Sequence, residues 1–565
     1  MFLSGASVAA AFLFLLPLAT LAQQIPVTGI QGGGDGTPLP ARKNIKDLQR
    51  NGGPEWDLFI LGLTALQDEK ETNELSYFQL MGIHGRPYIP WNGVERVAGG
   101  GYGGFCPHNS VQFASWHRPF LAIYEQAIHT HVVRIAGEYK GQSAPVYAAA
   151  ARRVRIPYWD WAAGGSGDSA RLPEAVTARE VTVTTPSGRA SVRNPLYSYR
   201  FQRRPDESGM PNDTLGARFG ETKRGPTANG TDDFGAVNAQ LEAHAGTLAR
   251  QVYNVFTQTT TFAQMSTEQV PGSSFESPHN SIHNMAGAGG HLQFLDWSAF
   301  DPAFALHHCN VDRLVALWQA VNPDGAVLNG SAWSSGQFAT PAGQVTADSP
   351  LRPFFASNRS GHFHTGRSVA DVASFGYTYP ELLPPPAPQR QEEQQLSRAD
   401  LRRLVMQRIN DLYGAGVGAG QSLGKRDAAT VAARRDYELQ IRAERDRLDL
   451  PAQIGVFVRG RLAGHVSLLG MPRTGVSFSV LPLDGVLTEL GLVDNRTEAA
   501  VLPLLRDEVR LEVRKCDGTD ISAASTPGLQ LEVQSRAYTP GARKFDFPTF
   551  GAVSKVAIHP IAPRP

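Results

Sequence analysis

Residues 275–284 read FESPHNSIHN, which places His279 and His283 four positions apart. Four residues is close to one helical turn, so on a helix both imidazoles project from one face toward one point. That is a metal-ligand spacing. Zinc proteases use the same step with a Glu directly after the first His as general base, and here that position is Asn280. The protease chemistry loses its base, and the rest of the chain must say which metal is held.

The chain has 565 residues, 42% of them hydrophobic, enough for several packed cores. Lys plus Arg number 53 against 52 Asp plus Glu, so no basic surplus exists for nucleic acid or an anionic membrane. Small, uncharged partners are expected. Residues 1–22 carry an apolar run, SVAAAFLFLLPLATLA, shorter than the roughly 20 residues of a membrane span and closing on small residues. It reads as a signal peptide and implies secretion. Sequons at Asn212, Asn229, Asn329, Asn358 and Asn495 would then be glycosylation acceptors. The cysteines, Cys106, Cys309 and Cys516, are odd in number, so disulfides are not the framework.

Helical spacing appears in 56–67, 116–139, 236–256 and 307–321, and four helices can enclose a metal site in a bundle core. Long surface loops are expected between about 165 and 235. The proline-rich run LPPPAPQRQEEQQ ends the first domain near Leu382. Residues 383–450 read as a linker or activation segment: charged helical stretches around a Gly-rich interruption, with Lys425-Arg426 placed for a protease. Short β-type runs fill 451–565 and predict a small β-sandwich. The expected architecture is a mainly α domain over 23–382, a four-helix bundle with long loops, followed by a smaller β-sandwich.

Further histidines stand in distinctive settings: His84 in MGIHGRP, His108 in FCPHNS, His117 in SWHRPF, and the pair His307-His308 in FDPAFALHHCNVDR. Two sets of three suggest two metals. Successive helical residues point about 100° apart, so only one of the pair is expected to serve; His308 shares its face with Phe304 and Asp312. All-imidazole ligation suits copper, zinc, iron or nickel and argues against magnesium or calcium. A di-iron carboxylate site would need a second Glu-x-x-His besides Glu276–His279, and Pro278 argues against one regular helix through that pair.

The blocks GIHGRPYIPW, CPHNSVQFASWHRPFLAIYEQ, RIPYWDWA, SPHNSIHNMAGAGGH and FDPAFALHHCNVDRLVALW resemble the copper-binding blocks of fungal tyrosinases, over residues 25–382. Catechol oxidases and oxygen-carrying haemocyanins are relatives. The resemblance implies two copper ions, one on His84, His108 and His117 and one on His279, His283 and His308. It implies a thioether between Cys106 and His108. It implies hydroxylation of monophenols and oxidation of o-diphenols to o-quinones by dioxygen, with Glu276 and Asn280 orienting a water as base. Phe304, Asn284 and Ala305 would shape the substrate pocket; Ala305 departs from the family's usual aromatic. Arg42 would pack on the Tyr377/Tyr379 motif that closes the domain. In the long fungal forms the C-terminal domain covers the site until an activating protease removes it, and Phe457 is a candidate plug. A catechol oxidase blind to monophenols and a non-catalytic dioxygen carrier are the alternatives.

Overall fold

The structure is a computed structural model and describes residues 24–31, 38–101, 103–165, 170–203, 215, 218–385, 396–414, 434–492, 496–515, 519–521 and 528–559. The signal peptide 1–22, Asn212, Asn495, Cys516 and the Lys425-Arg426 pair lie outside them.

The first region is helical. The helices used below are α1 (Pro54–Asp68), α2 (Phe113–Ala136), α3 (Phe234–Gln258), α4 (Glu276–Gly287), α5 (Ala303–Val321) and α6 (Arg398–Tyr413). All four helical patterns in the sequence form helices, and the opening motif adds α4 to them. α1 packs behind α2, and α3 behind α4, so α2, α4 and α5 meet at the centre. Pro54 opens α1 at a position whose N–H has no intrahelical partner to lose. The same logic corrects the expectation for Pro278. It sits in the first turn of α4, where no i−4 carbonyl is available, so the helix runs regularly from Glu276 through both histidines.

Buried charge fastens the domain's ends. The Asp312 carboxylate on α5 accepts from Arg118 Nε (2.6 Å), Arg42 Nη1 (3.3 Å) and the hydroxyls of Tyr377 and Tyr379 (2.6 Å each). The Arg42 guanidinium lies 3.6 Å over the Tyr377 ring. These cations hold Asp312 below the ordinary carboxylate range although burial pushes it up. Asp312 thus orients arginines and touches no metal-ligating histidine.

The C-terminal region is β-rich, with its own core between two antiparallel sheets. Its main strands are β1 (Arg434–Glu444), β2 (Ala452–Val458), β3 (Arg461–Leu468), β4 (Val476–Pro482), β5 (Val509–Lys515), β6 (Leu529–Thr539) and β7 (Ser554–Ile558). One sheet runs β4-β1-β6 with β7 on β6; the other runs β5-β2-β3. The segment 383–450, expected as a linker or activation segment with charged helical stretches, splits two ways. Residues 398–413 are helical, but Val405, Ile409 and Tyr413 bury that helix in the first region's core. Residues 434–444 are not helical: β1 is a central strand that buries Tyr437, Leu439, Ile441 and Ala443 at alternate positions.

Candidate metal centre

His279 and His283 lie one turn apart on α4, and His308 reaches them from α5. Their Nε2 atoms converge: 3.0 Å between His283 and His279, 3.2 Å between His279 and His308, 3.3 Å between His283 and His308. Imidazole–metal bonds of about 2.0–2.1 Å place neighbouring ligand nitrogens roughly 3.3–3.6 Å apart around one ion. The trio is nearly at that spacing, so the three nitrogens face a common point where one ion would fit.

The opposite Nδ1 atoms explain the aim. His283 Nδ1 donates to the Leu292 carbonyl (2.7 Å), and His117 Nδ1 to the Phe113 carbonyl (2.8 Å). Each bond fixes the tautomer that leaves Nε2 free to ligate. Leu292 can come so close because the chain turns back sharply after α4: a Cβ at Gly287 would fall 2.3 Å from Gln293 N. His307 also brings a ring nitrogen within 4.8 Å of the trio's ligand atoms, but its Nδ1 accepts from Trp161 Nε1 (3.0 Å) and its ring stacks on His279.

The other cluster, first along the chain, comprises His84, Cys106, His108 and His117. His84 follows a short helix, Tyr77–Gly82, and His108 comes from the loop before α2. His84 is 3% exposed and carries a ring nitrogen with no hydrogen-bond partner among the described residues. The two clusters abut, since the His117 and His308 rings stack with centroids 4.2 Å apart. Burial holds all these imidazoles below their ordinary range, His117 down to about 3 and His283 to about 4, and neighbouring histidines add to it for every one but His283. They are neutral, the form that binds a metal. Among the described residues no carboxylate belongs to either cluster, so the donor set fits copper and not magnesium or calcium.

Cys106 Sγ lies 3.5 Å from His108 Nδ1 and 3.8 Å from Nε2, facing the ring edge between the two nitrogens, where Cε1 lies. It is also 3.2 Å from His117 Nε2. Phe304 stacks on His308 at 4.1 Å and meets His84 edge-on at 4.8 Å, so it braces ligands from both clusters. Ala305 is buried beside it, and Asn284 accepts from Gln293 Nε2. The cavity at the first cluster is lined by His84, Cys106, His108 and Leu295, and by Met471 and Pro472 of the β-rich region, but not by Asn284, Phe304 or Ala305. Phe457 is not among its residues: it lies in β2, paired with Arg510 and Leu462.

Glu276 and Asn280 are buried at the site but do not bond to each other. Glu276 accepts from the backbone N–H of Asn109 (2.6 Å) and Glu268 (3.0 Å) and from the Thr267 hydroxyl (2.8 Å). It is a strut joining α4 to the loop that carries His108. Asn280 Nδ2 instead donates to Glu268 Oε2 (3.0 Å), which leaves its Oδ1 to accept from His279 Nδ1 (2.9 Å). Glu268 was missed in the sequence because it sits outside the motif, in the loop before α4. Both glutamates are shifted upward, mainly by burial, and Glu276 also by Glu268. Of the sequons, Asn229, Asn329 and Asn358 are exposed.

Two convergent imidazole trios sharing an interface define a binuclear metal protein. A family profile, the common central domain of tyrosinase, matches residues 74–321. The chain is 35% identical to a tyrosinase of Podospora anserina over 428 residues, covering 73% of this chain and 72% of that one. It is 31% identical to polyphenol oxidase 2 of Agaricus bisporus over 398 residues, 69% of this chain and 67% of that one. A solved latent and active mushroom tyrosinase superposes with a TM-score of 0.79 at 24% identity, covering 95% of this chain and 100% of that one. The pro-tyrosinase of Aspergillus oryzae follows at 0.74 and 23%, over 96% and 98%. The chain belongs to the tyrosinase family, whose oxidoreductases work with a dicopper centre.

Proposed function

We propose that this protein oxidises phenols with dioxygen, hydroxylating monophenols to o-diphenols and converting o-diphenols to o-quinones, and that it is made as a secreted, latent proenzyme. The observation that carries the reading is the pair of abutting trios. His84, His108 and His117 would hold one copper, and His279, His283 and His308 the other. When bound, the two coppers supply one electron each toward dioxygen and an acceptor site for a phenolate oxygen.

The chain's own work is to orient and to move protons. The Nδ1 anchors at Phe113, Leu292 and Asn280 fix three rings in the ligating tautomer. Phe304 keeps His84 and His308 in place. A phenol with an ordinary pKa near 10 is ionised in only about one molecule per thousand at pH 7, so its proton must be taken. Glu268 and Asn280 are placed to hold a water for that task beside His279, and a general base is worth roughly 10² to 10⁴ in rate. Glu276 supports this arrangement from behind. The position of Cys106 against the His108 ring edge supports the thioether.

Latency is supported by the β-rich region lying on the helical one, with Met471 in the cavity at the first trio. A protease acting between residues 415 and 433 would separate the two. The test is to load the chain with copper, cut it in that window, and follow catechol and tyramine. Oxidation of both after cutting supports the reading. Catechol alone would make it a catechol oxidase, and neither would leave a dioxygen carrier.

A further inference from the structure

Arg445 follows β1 and belongs to the β-rich region, yet its side chain is 1% exposed and points into the helical region. Nη1 lies 3.2 Å from Glu268 Oε1 and donates to Ser477 Oγ (2.8 Å), while Ser477 Oγ itself donates to the same Glu268 oxygen (2.9 Å). The β4 backbone joins in, Phe478 N–H donating to the Glu268 carbonyl (2.6 Å). The other edge of the guanidinium binds the carbonyls of Leu469 and Pro472, which flank Met471. A continuous chain therefore runs Arg445–Glu268–Asn280–His279.

From this geometry we propose that Arg445 is a second lock on the latent protein, one that ties up the carboxylate of Glu268 as a buried ion pair, separately from the cavity wall that Met471 supplies. The proposal rests on Glu268 being the carboxylate that positions the proton-accepting water. A carboxylate oxygen shared between a guanidinium and a hydroxyl has its lone pairs committed, and the positive charge beside it lowers its pull on a proton. Deprotonation of a monophenol needs that pull most. Unplugging alone should therefore release diphenol oxidation before monophenol hydroxylation. The one arginine also spans both locks, because the carbonyls it holds shape the turn that lays Met471 over the first trio.

The test uses the uncut, copper-loaded chain. Met471→Gly should open the cavity and raise catechol turnover while tyramine hydroxylation stays low. Adding Arg445→Gln should raise the tyramine-to-catechol ratio by about tenfold or more, part of the roughly 10² to 10⁴ that a general base contributes. Adding Arg445→Lys, which keeps a charge, should leave the ratio low. An unchanged ratio in the Gln double variant, or an equal rise in the Lys one, overturns the lock. Adding Glu268→Gln to the Gln double variant should bring the ratio back down; if the ratio stays high, the assignment of Glu268 fails while the lock's effect stands. A readout without copper runs alongside. Arg445→Gln in the metal-free chain should show a new protonated-carboxyl infrared band that Glu268→Gln removes, and absence of the band contradicts the ion pair.

Discussion

Asn280 Nδ2 lies 3.0 Å from Glu268 Oε2, and Asn280 Oδ1 lies 2.9 Å from His279 Nδ1. One amide thus links a buried carboxylate to a histidine of the second trio. Glu268→Gln should lower kcat for a monophenol by about 10² or more and affect a diphenol far less. Glu276→Gln behaves differently. It swaps a three-donor acceptor for a group with only one acceptor oxygen, which costs about 1–3 kcal/mol of stability and lowers both activities together. Paired kinetics with tyramine and catechol, plus a melting curve, separate the two glutamates.

The adjacent histidines should part just as clearly. His308→Ala removes a nitrogen from the convergent trio, and copper content should fall from two to about one per chain. His307→Ala should keep both ions while leaving Trp161 Nε1 without its acceptor, at a cost of about 1–3 kcal/mol. Metal analysis beside a denaturation curve reads both.

Asp312→Asn should be severe without touching a ligand. Arg42 and Arg118 would both lose a buried counter-charge, and breaking a buried pair costs about 3–5 kcal/mol. Urea denaturation should show that loss in the midpoint.

The contact between the two regions is sensitive to pH. His244 of α3 and His465 of β3 meet at 2.6 Å, Nε2 to Nδ1. Burial lowers His244; burial, His244 and Arg514 hold His465 down to about 4. The docked state binds fewer protons than the separated one, so docking is fully favoured above the ordinary histidine value of 6.5 and weakens as pH falls toward about 4. Asp436, raised mainly by burial on the same interface, acts in the opposite direction. The informative quantity is the difference between the wild-type chain and His465→Gln. Catechol turnover by the uncut chain should rise on acidification in the former and rise less in the latter.

The two histidine clusters were legible because their spacing is local. His279 and His283 share a helix face, and the step from Phe304 is the ground for proposing His308 as third ligand in a cluster that also holds His307. The helical patterns were legible for the same reason. What was hidden depends on residues distant in sequence. Asn280 finds Glu268 and not Glu276 because the loop before α4 folds back, and no periodicity reports that. β1 was read as charged and helical because Asp436, Glu438, Gln440, Arg442 and Glu444 fill the positions between its core residues, and that Asp436 and Glu438 are buried against Arg250 and Asn254 could not be seen in sequence. Its period-two alternation of Tyr437, Leu439, Ile441 and Ala443 was the available signal. Met471, and not Phe457, lines the cavity at the His84 cluster because Arg445, a buried charge that composition cannot locate, holds the carbonyls of Leu469 and Pro472 beside it.

The central claim is that the two trios hold a coupled pair of coppers. Spin quantification by electron paramagnetic resonance on the oxidised chain, loaded with two copper ions, tests it most directly. Antiferromagnetic coupling across the shared interface predicts a nearly silent spectrum despite full copper content. A signal accounting for all the copper as isolated ions would contradict the account.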